Sequence, residues 1–231
     1  MDGELRCLIT PNETVVALID HQPQMFFGVG LHQRLMILNN AVALAKAARL
    51  FAVPVVLTTI SAKTFGGELA SEIQAVFSDQ APIDRTNMNA WEDRTFRAAV
   101  AGFGRKKIVI AGLWTEVCVC FPVIDAIAEG YELYVPTDAC GDLTREAHER
   151  AVQRMIQAGA VPMTTLQLMF EWQRDWSRAE TYDGVMDILK THSACSIGVH
   201  HAATILGGRP SEASRFSPLS PDRAAALTPR P

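Results

Sequence analysis

Three residues of this sequence carry side chains that could act together on a carbonyl carbon: Asp20, Arg85 and Cys118. A thiolate is a strong nucleophile, but a free cysteine titrates near 8.5, so only a few per cent is ionised at neutral pH. Cys118 follows GLWTEV at what reads as the first turn of a helix, where unsatisfied N–H donors and the helix dipole supply positive potential. A neighbouring arginine would add permanent positive charge, and each unit of pKa depression favours the thiolate by about 1.4 kcal/mol. The expectation is a cysteine made acidic by its surroundings. A carboxylate such as Asp20 could take the thiol proton and return it to a leaving group, while N–H donors at the turn hold an oxyanion. The plainer reading stands beside this one. A cysteine in an apolar stretch is as a rule a small buried hydrophobe, an aspartate after a strand a turn or cap residue, and an arginine a surface or ion-pair residue.

The elements that must position these residues show in the apolar pattern. TVVALI (14–19) is a short, β-branched run that reads as a buried strand closed by Asp20. PVVLTTI (54–60) is a second and KKIVIAG (106–112) the clearest of all; YELYVPTDA (131–139) and VPMTT (161–165) follow. APIDR (81–85) is a weak third strand, supported mainly by the pattern around it. Between these runs, helices are expected over about 33–51, 67–77, 90–101, 115–130 (with Pro122 in its first turns or kinking it), 144–158, and from 166 to about Trp172. One more is expected over 179–195. Alternating strands and helices, with strands apolar almost throughout, predict an α/β fold: three layers, with a six-stranded parallel sheet covered on both faces. Right-handed crossovers with one reversal of strand order make it doubly wound, and ligands of such sheets bind beyond the strands' carboxyl ends at the reversal. Asp20, Arg85 and Cys118 all lie at or just past such ends.

Bulk composition removes other function classes. The chain has 231 residues, 48% apolar and 20% charged, with a net charge of −4, so a sizeable core is expected and no basic excess favours nucleic acid or an anionic membrane. The first residues, MDGELRCLITPNE, lack the apolar core of a signal peptide, and no run is long enough to span a membrane. Five cysteines, an odd number, argue against a disulfide framework and for a reducing, cytoplasmic setting. The expected organisation is one domain over residues 1–205, with its core at about 12–190, and a disordered Pro/Ser/Arg/Ala-rich tail over 206–231.

The segment GLWTEVCVCFPVIDAIAEGYELYVPTDACG resembles the active-site segment of the isochorismatase-like (cysteine hydrolase) superfamily, roughly G-x-x-T-x-x-C-V, then a helix, a strand and T-D-A. ALIDHQ is similar to that family's first strand with its catalytic aspartate, and IDRTNMNAWED, TEVCVxFP and QAGA look most like its branch of metal-free, octameric hydrolases. The resemblance covers about residues 12–190. It implies the strand order 3-2-1-4-5-6, Cys118 as nucleophile, Asp20 as general base, and Arg85 in the place where the family usually has lysine. Arginine can stabilise an anion but is effectively never deprotonated, so it cannot shuttle a proton. It also implies a cis peptide at Leu113–Trp114, aiming the N–H of Trp114 with that of Cys118 at the oxyanion, with Trp114 a bulky wall of the pocket. The implied activity is metal-independent hydrolysis of a small amide or related C–N bond, other than a peptide bond, through a thioester. The implied assembly is a homo-oligomer, a tetramer or octamer, whose partner is a small-molecule substrate.

Other residues divide into pocket candidates and rejected ligands. Gln22 and Phe26 (with Phe27) after the first strand, and Asn87, Asn89 and Trp91 after Arg85, are pocket candidates. Loop, cap or contact duty is the alternative for each. Glu116 would oppose a thiolate and is expected to point elsewhere. The stretch where zinc-binding relatives carry their ligands reads TTISAKTFGG, with neither His nor Asp. His21, His32, His200 and His201 lie elsewhere and His148 falls on a helix expected to face solvent, so no metal and no cofactor is expected. Cys118-x-Cys120 lacks a second ligand pair for zinc, and i, i+2 positions on a helix face apart. No dinucleotide-binding, P-loop or serine-elbow motif occurs. Two alternatives to hydrolysis remain at this stage: a thiol-based redox-responsive protein, should an acidic Cys118 oxidise readily, and a non-catalytic binding or scaffold member of the fold.

Overall fold

In the computed structural model, residues 8–30 and 34–193, and Gly198, are described. The chain divides into two compact units, up to Trp172 and from Gln173 on.

The first unit is the α/β layer structure. Six strands form one parallel sheet in the order β3-β2-β1-β4-β5-β6: β1 (Thr14–Ile19), β2 (Val55–Ile60), β3 (Ile83–Arg85), β4 (Lys107–Gly112), β5 (Glu132–Pro136) and β6 (Val161–Met163). Every residue of β1 and β2 is buried, as a sheet covered on both faces requires. Helices α1 (Pro23–Gly28), α2 (Arg34–Leu50), α3 (Ser71–Val76), α4 (Arg94–Gly102), α5 (Cys120–Ala128), α6 (Arg145–Ala158) and α7 (Thr165–Gln173) make the connections. α2 packs on α3 and, through an edge-on contact of Phe51 with Trp172, on α7. α5 packs on α6 and, with α4, on the turn Ala90–Glu92.

Register decides where the functional side chains emerge. Ile19 sits opposite Thr58 of β2 and Gly112 of β4, and Ile60 sits opposite Arg85 of β3. Asp20, Arg85 and the turn after Gly112 are thereby brought to one end of the sheet. The approach of β4 to β1 there needs a glycine: a Cβ on Gly112 would lie 2.4 Å from Ile19 O.

Several elements differ from the sequence reading, and the larger differences each have a local reason. The helix expected over 67–77 is only Ser71–Val76, because Gly67 takes φ +80 and Ala70 N–H is bonded to His21 O at 2.8 Å. The helix expected over 90–101 is broken at Asp93, whose Oδ1 accepts from Phe96 N–H at 2.8 Å and caps α4 anew. The helix expected from 115 opens as a wide five-residue turn, Thr115–Val119, before α5 begins at Cys120, which puts Pro122 in α5's first turn. The strand expected over 131–139 ends at Pro136 in a 3-10 turn, Thr137–Ala139.

The second unit contains α8 (Ala179–His192). Gln173 organises its entry, donating to Asp175 O (2.9 Å) and Arg178 O (3.3 Å) and accepting from Thr181 Oγ1. The tail expected over 206–231, with Cys7, His32, Cys195, His200 and His201, lies outside the described residues. No helix among the described residues is long and apolar enough to cross a membrane.

Candidate active site

Asp20 leaves β1 in the left-handed conformation, φ +55, which L-residues rarely adopt and which aspartate tolerates better than most. Its N–H still bonds β2 (Thr58 O, 3.0 Å), and its carbonyl accepts from Gln22 N–H at 2.7 Å, so the chain turns sharply within one residue of the strand. The carboxylate meets Arg85: Nη2 donates to Oδ2 at 2.6 Å, with both side chains fully shielded from solvent. Arg85 is itself fixed from behind, Nη1 donating to Asn87 O and reaching Met88 O at 3.5 Å. Two atoms of this pair, Asp20 Oδ1 and Arg85 Nε, are buried without a hydrogen-bond partner among the described residues.

Cys118 joins the pair from the turn after β4. Its thiol interacts with the Asp20 carboxylate strongly enough to shift both groups. Because Oδ1 completes no hydrogen bond, we read the contact as a thiol beside a base rather than a formed S–H···O bond. Burial pushes the Cys118 thiol up from 9.0 to about 12. The Asp20 charge and the contact with it push the same way, against Arg85 and the Trp114 N–H. Burial likewise raises Asp20 from 3.8 to about 6, opposed by Arg85 and by the thiol. The acidic cysteine expected from sequence is thus not what the site holds at rest. Cys118 is 4% exposed, and desolvation of a thiolate outweighs both the arginine and the turn's donors.

The peptide Leu113–Trp114 is cis. The two N–H groups expected to act as a pair differ. That of Trp114 is directed at the Cys118 sulfur. That of Cys118 is already bonded to Trp114 O at 3.0 Å, a carbonyl that also accepts from Val117 (3.2 Å) and Val119 (3.4 Å). An oxyanion could use it only as a second acceptor.

The pocket candidates separate. Gln22 is buried and committed to backbone: its amide donates to Ile60 O (3.2 Å) and Gly67 O and accepts from Ile60 N–H (2.8 Å). It ties the end of β2 to the following loop with all its polar capacity near exhaustion. Asn89 is committed in the same way: Oδ1 caps Trp91 N–H (3.0 Å) and Nδ2 donates to Asp125 Oδ2 of α5 (2.7 Å). Trp91 is buried, edge-on to Phe96 and Tyr131, so it is core between α4 and α5. Phe26 is half-buried 6.2 Å from the His21 ring, and Asn87 is half-buried with its carbonyl on Arg85; these two keep a place near the site. Phe27 is 72% exposed. Glu116 is exposed and faces Asp142, which together with burial raises its pKa. Cys120 Sγ lies toward Ala151 O of α6, 4.0 Å away.

Sequence reading missed the brace beneath the nucleophile turn. Thr115 is buried, and both its N–H (2.9 Å) and Oγ1 (3.0 Å) bond Gly141 O. His148 is not solvent-facing: it is half-buried, with Nδ1 2.8 Å from Thr115 Oγ1, and burial lowers its pKa. Asp142, buried, accepts from Glu116 N–H (2.7 Å) and Leu143 N–H (2.8 Å). The signal was present in TDACGD, a polar cluster directly after a strand. Among the described residues no group of three or more His, Cys, Asp or Glu is placed to hold a metal ion.

Residues 14–167 match the family model described as Isochorismatase domain. The chain belongs to the isochorismatase family. This is a hydrolase family, and the segment matched runs from the start of β1 into α7. Among curated relatives, the probable hydrolase YcaC of Escherichia coli K12 is 37% identical over 182 residues, 78% of this chain and 86% of the relative. A crystal structure of E. coli YcaC, described as an octameric hydrolase of unknown specificity, superposes with TM-score 0.81 at 34% identity, covering 87% of this chain and 98% of that one. YcaC from Pseudomonas aeruginosa, solved with hexane-2,5-diol and covalent acrylamide, gives TM-score 0.79 at 33% identity, covering 85% and 96%. Nicotinamidase PncA of Bacillus subtilis shares the fold, with TM-score 0.56 at 16% identity over 65% of this chain.

Proposed function

We propose that this isochorismatase-family hydrolase cleaves a small amide or related C–N bond through a thioester on Cys118, without a metal. The observation that carries the reading is the buried cluster itself: Asp20 lies between a guanidinium 2.6 Å away and the Cys118 thiol. In the proposed reaction Asp20, with a pKa near neutrality, takes the thiol proton as sulfur attacks the substrate carbonyl. The negative charge passes from carboxylate to oxyanion. Arg85 and the Trp114 N–H are the donors that hold it on this reading. The protonated Asp20 then gives its proton to the departing amine. Water, deprotonated by the same carboxylate, releases the acid and restores the thiol. Phe26 and Asn87 are the remaining candidates for contact with substrate.

The alternatives lose support on specific points. A redox sensor is favoured by a thiolate, whereas burial and the Asp20 charge push the Cys118 thiol up. A non-catalytic scaffold needs no convergence of the three groups. That P. aeruginosa YcaC carries covalent acrylamide fits a nucleophile in that relative, acrylamide being a thiol-reactive electrophile. Assembly as a homo-oligomer is part of the proposal, E. coli YcaC being described as an octamer; light scattering tests it. A reducing, cytoplasmic setting is likewise part of the proposal; among the described residues Cys118, Cys120 and Cys140 are free thiols. The reaction is tested by screening small amides for ammonia release, with the acyl-enzyme sought by mass spectrometry. Full turnover by Cys118→Ala on an identified substrate would sink the reading.

A further inference from the structure

The proposed reaction asks only for the backbone N–H of Trp114, which leaves its indole unexplained. The side chain runs from the end of β4 to α1, where Nε1–H donates to Met25 O at 2.8 Å. The ring lies so close to Gly28 that a Cβ there would come within 2.8 Å of Cζ2 and 3.1 Å of Cε2, and within 2.6 Å of Leu143 Cδ2. Leu143 belongs to the loop leaving β5. The indole is half-buried, packed along Gly28 and tied to Met25 O, with part of its surface left accessible. β1 and β4 are the neighbours at which the strand order reverses, the place where ligands of such sheets bind. Trp114 therefore lies across the reversal point, bonded to the helix that follows β1 and touching the loop that follows β5.

We propose that this indole is a size gate for the acyl group, a specificity-determining side chain beside Cys118. It closes the crevice on the β5 side, so substrate reaches the sulfur from the side of β2 and β3. The segments that follow β1, β2 and β3 expose Phe27 of α1, Phe65 and Met88, an apolar approach. The substrate class is small amides with an uncharged, compact carbon portion. The gate is rigid because the indole N–H fixes the ring's rotation and Gly28 leaves it a fitted place; a swinging tryptophan would discriminate little. The inference rests on Cys118 as nucleophile, and its test does not depend on finding the substrate.

Two electrophiles with the same reacting carbon separate the cases: iodoacetamide, and iodoacetanilide, which adds a phenyl ring. In both, the cysteine sulfur displaces iodide from that carbon, forming a thioether and releasing iodide and the thiol proton. Labelling at Cys118 is followed by peptide mass, and each rate is divided by the reagent's rate with glutathione. In the unaltered protein the compact reagent is expected to lead by roughly tenfold or more, the discrimination a tight apolar pocket achieves. Trp114→Ala, or the milder Trp114→Leu, should abolish most of that preference, while Trp114→Phe retains it. Gly28→Ala, whose Cβ pushes the ring toward the crevice, should deepen it. An unchanged preference in whichever truncation folds overturns the gate, as does labelling of the unaltered protein with no preference. Failure to hydrolyse any amide would overturn the proposed reaction instead, with the labelling preference left standing.

Discussion

Replacing Asp20 with asparagine should make Cys118 more acidic and the enzyme inactive while the protein stays folded; unfolding would also free the thiol and end turnover, so the two effects count only in folded protein. The starting point is a thiol at about 12 where an ordinary one titrates at 9.0. Three units correspond to a thiolate population about a thousandfold lower than that of an unperturbed cysteine, on the order of one molecule in 100,000 at pH 7. Part of that shift comes from burial and part from the Asp20 carboxylate. Asparagine removes the second part while Arg85 stays, so the thiol should fall by about 1–3 units, the usual effect of one close charge. The alkylation rate at fixed pH should rise about tenfold or more, and hydrolysis, losing its base, should fall by about two to four orders of magnitude. The assay is the pH dependence of iodoacetamide labelling at Cys118 between pH 6 and 10, alongside turnover. Asp20→Asn also leaves the Arg85 charge buried and unpaired, at a cost of about 3–5 kcal/mol, so labelling is read under conditions where circular dichroism shows the variant folded. A Cys118 that titrates below 8 in the unaltered protein, or that titrates higher in Asp20→Asn, refutes the reasoning.

The same groups set further expectations. Arg85→Met should raise the Asp20 pKa above its present value of about 6, because a lowering influence is lost, and so move the acidic limb of the kcat/KM profile to higher pH. Arg85→Lys should keep part of the activity, since one ammonium cannot reach both Asp20 Oδ2 and Asn87 O as the guanidinium does. Asp20 binds more protons folded (about 6) than unfolded (3.8), so its contribution to stability is present below the unfolded value and lost as pH rises through 6, about 3 kcal/mol in all. His21, fully buried and lowered from 6.5 to about 4, runs the opposite way. Its contribution is present above 6.5 and lost as pH falls through 4, by a similar amount. The two slopes should nearly cancel between pH 4 and 6, and urea midpoints of Asp20→Asn should fall more steeply with acid than those of the unaltered protein. Gln22→Ala should lower stability by about 1–3 kcal/mol in urea melts, by orphaning Ile60 and Gly67 groups, and leave the choice of substrate unchanged.

What could be read in the sequence was whatever depends on local pattern. β1 and β2 were placed to the residue or nearly so because TVVALI and VVLTTI are buried on both faces, and the strand order followed from the family motifs. Asp20, Arg85 and Cys118 could be singled out because each stands at or just beyond a strand end. The failures share a different cause. The structural bonds of Gln22 and Asn89 went unread because their partners, Ile60 and Asp125, lie 38 and 36 positions away, and no pattern records such a bond. His148 looked solvent-facing for the same reason, its partner Thr115 being 33 residues back. The helix from 90 broke at Asp93 because one side chain captured Phe96 N–H, a competition that periodicity does not see.

The sign of the Cys118 shift is the most instructive of these differences, because it changes what the proposed mechanism must explain. Helix-start donors and an arginine are both present, yet each is already committed: the turn's N–H groups converge on Trp114 O and the guanidinium is bound to Asp20. A thiol surrounded by spent charge stays a thiol. On the proposed reading, reactivity then waits for a substrate carbonyl: Asp20 takes the thiol proton, and its negative charge passes to an oxyanion beside Arg85 Nε, the guanidinium nitrogen with no acceptor among the described residues. Arginine suits that task better than lysine. It cannot lose its proton to Asp20 or to the thiolate, so the neutral pair that would quench a lysine version of the site does not form. The proton inventory is then confined to Asp20 and Cys118, and a solvent-exchange or pH-rate measurement should find one ionisation on the acidic limb, near 6, and no lysine-like group on the basic one.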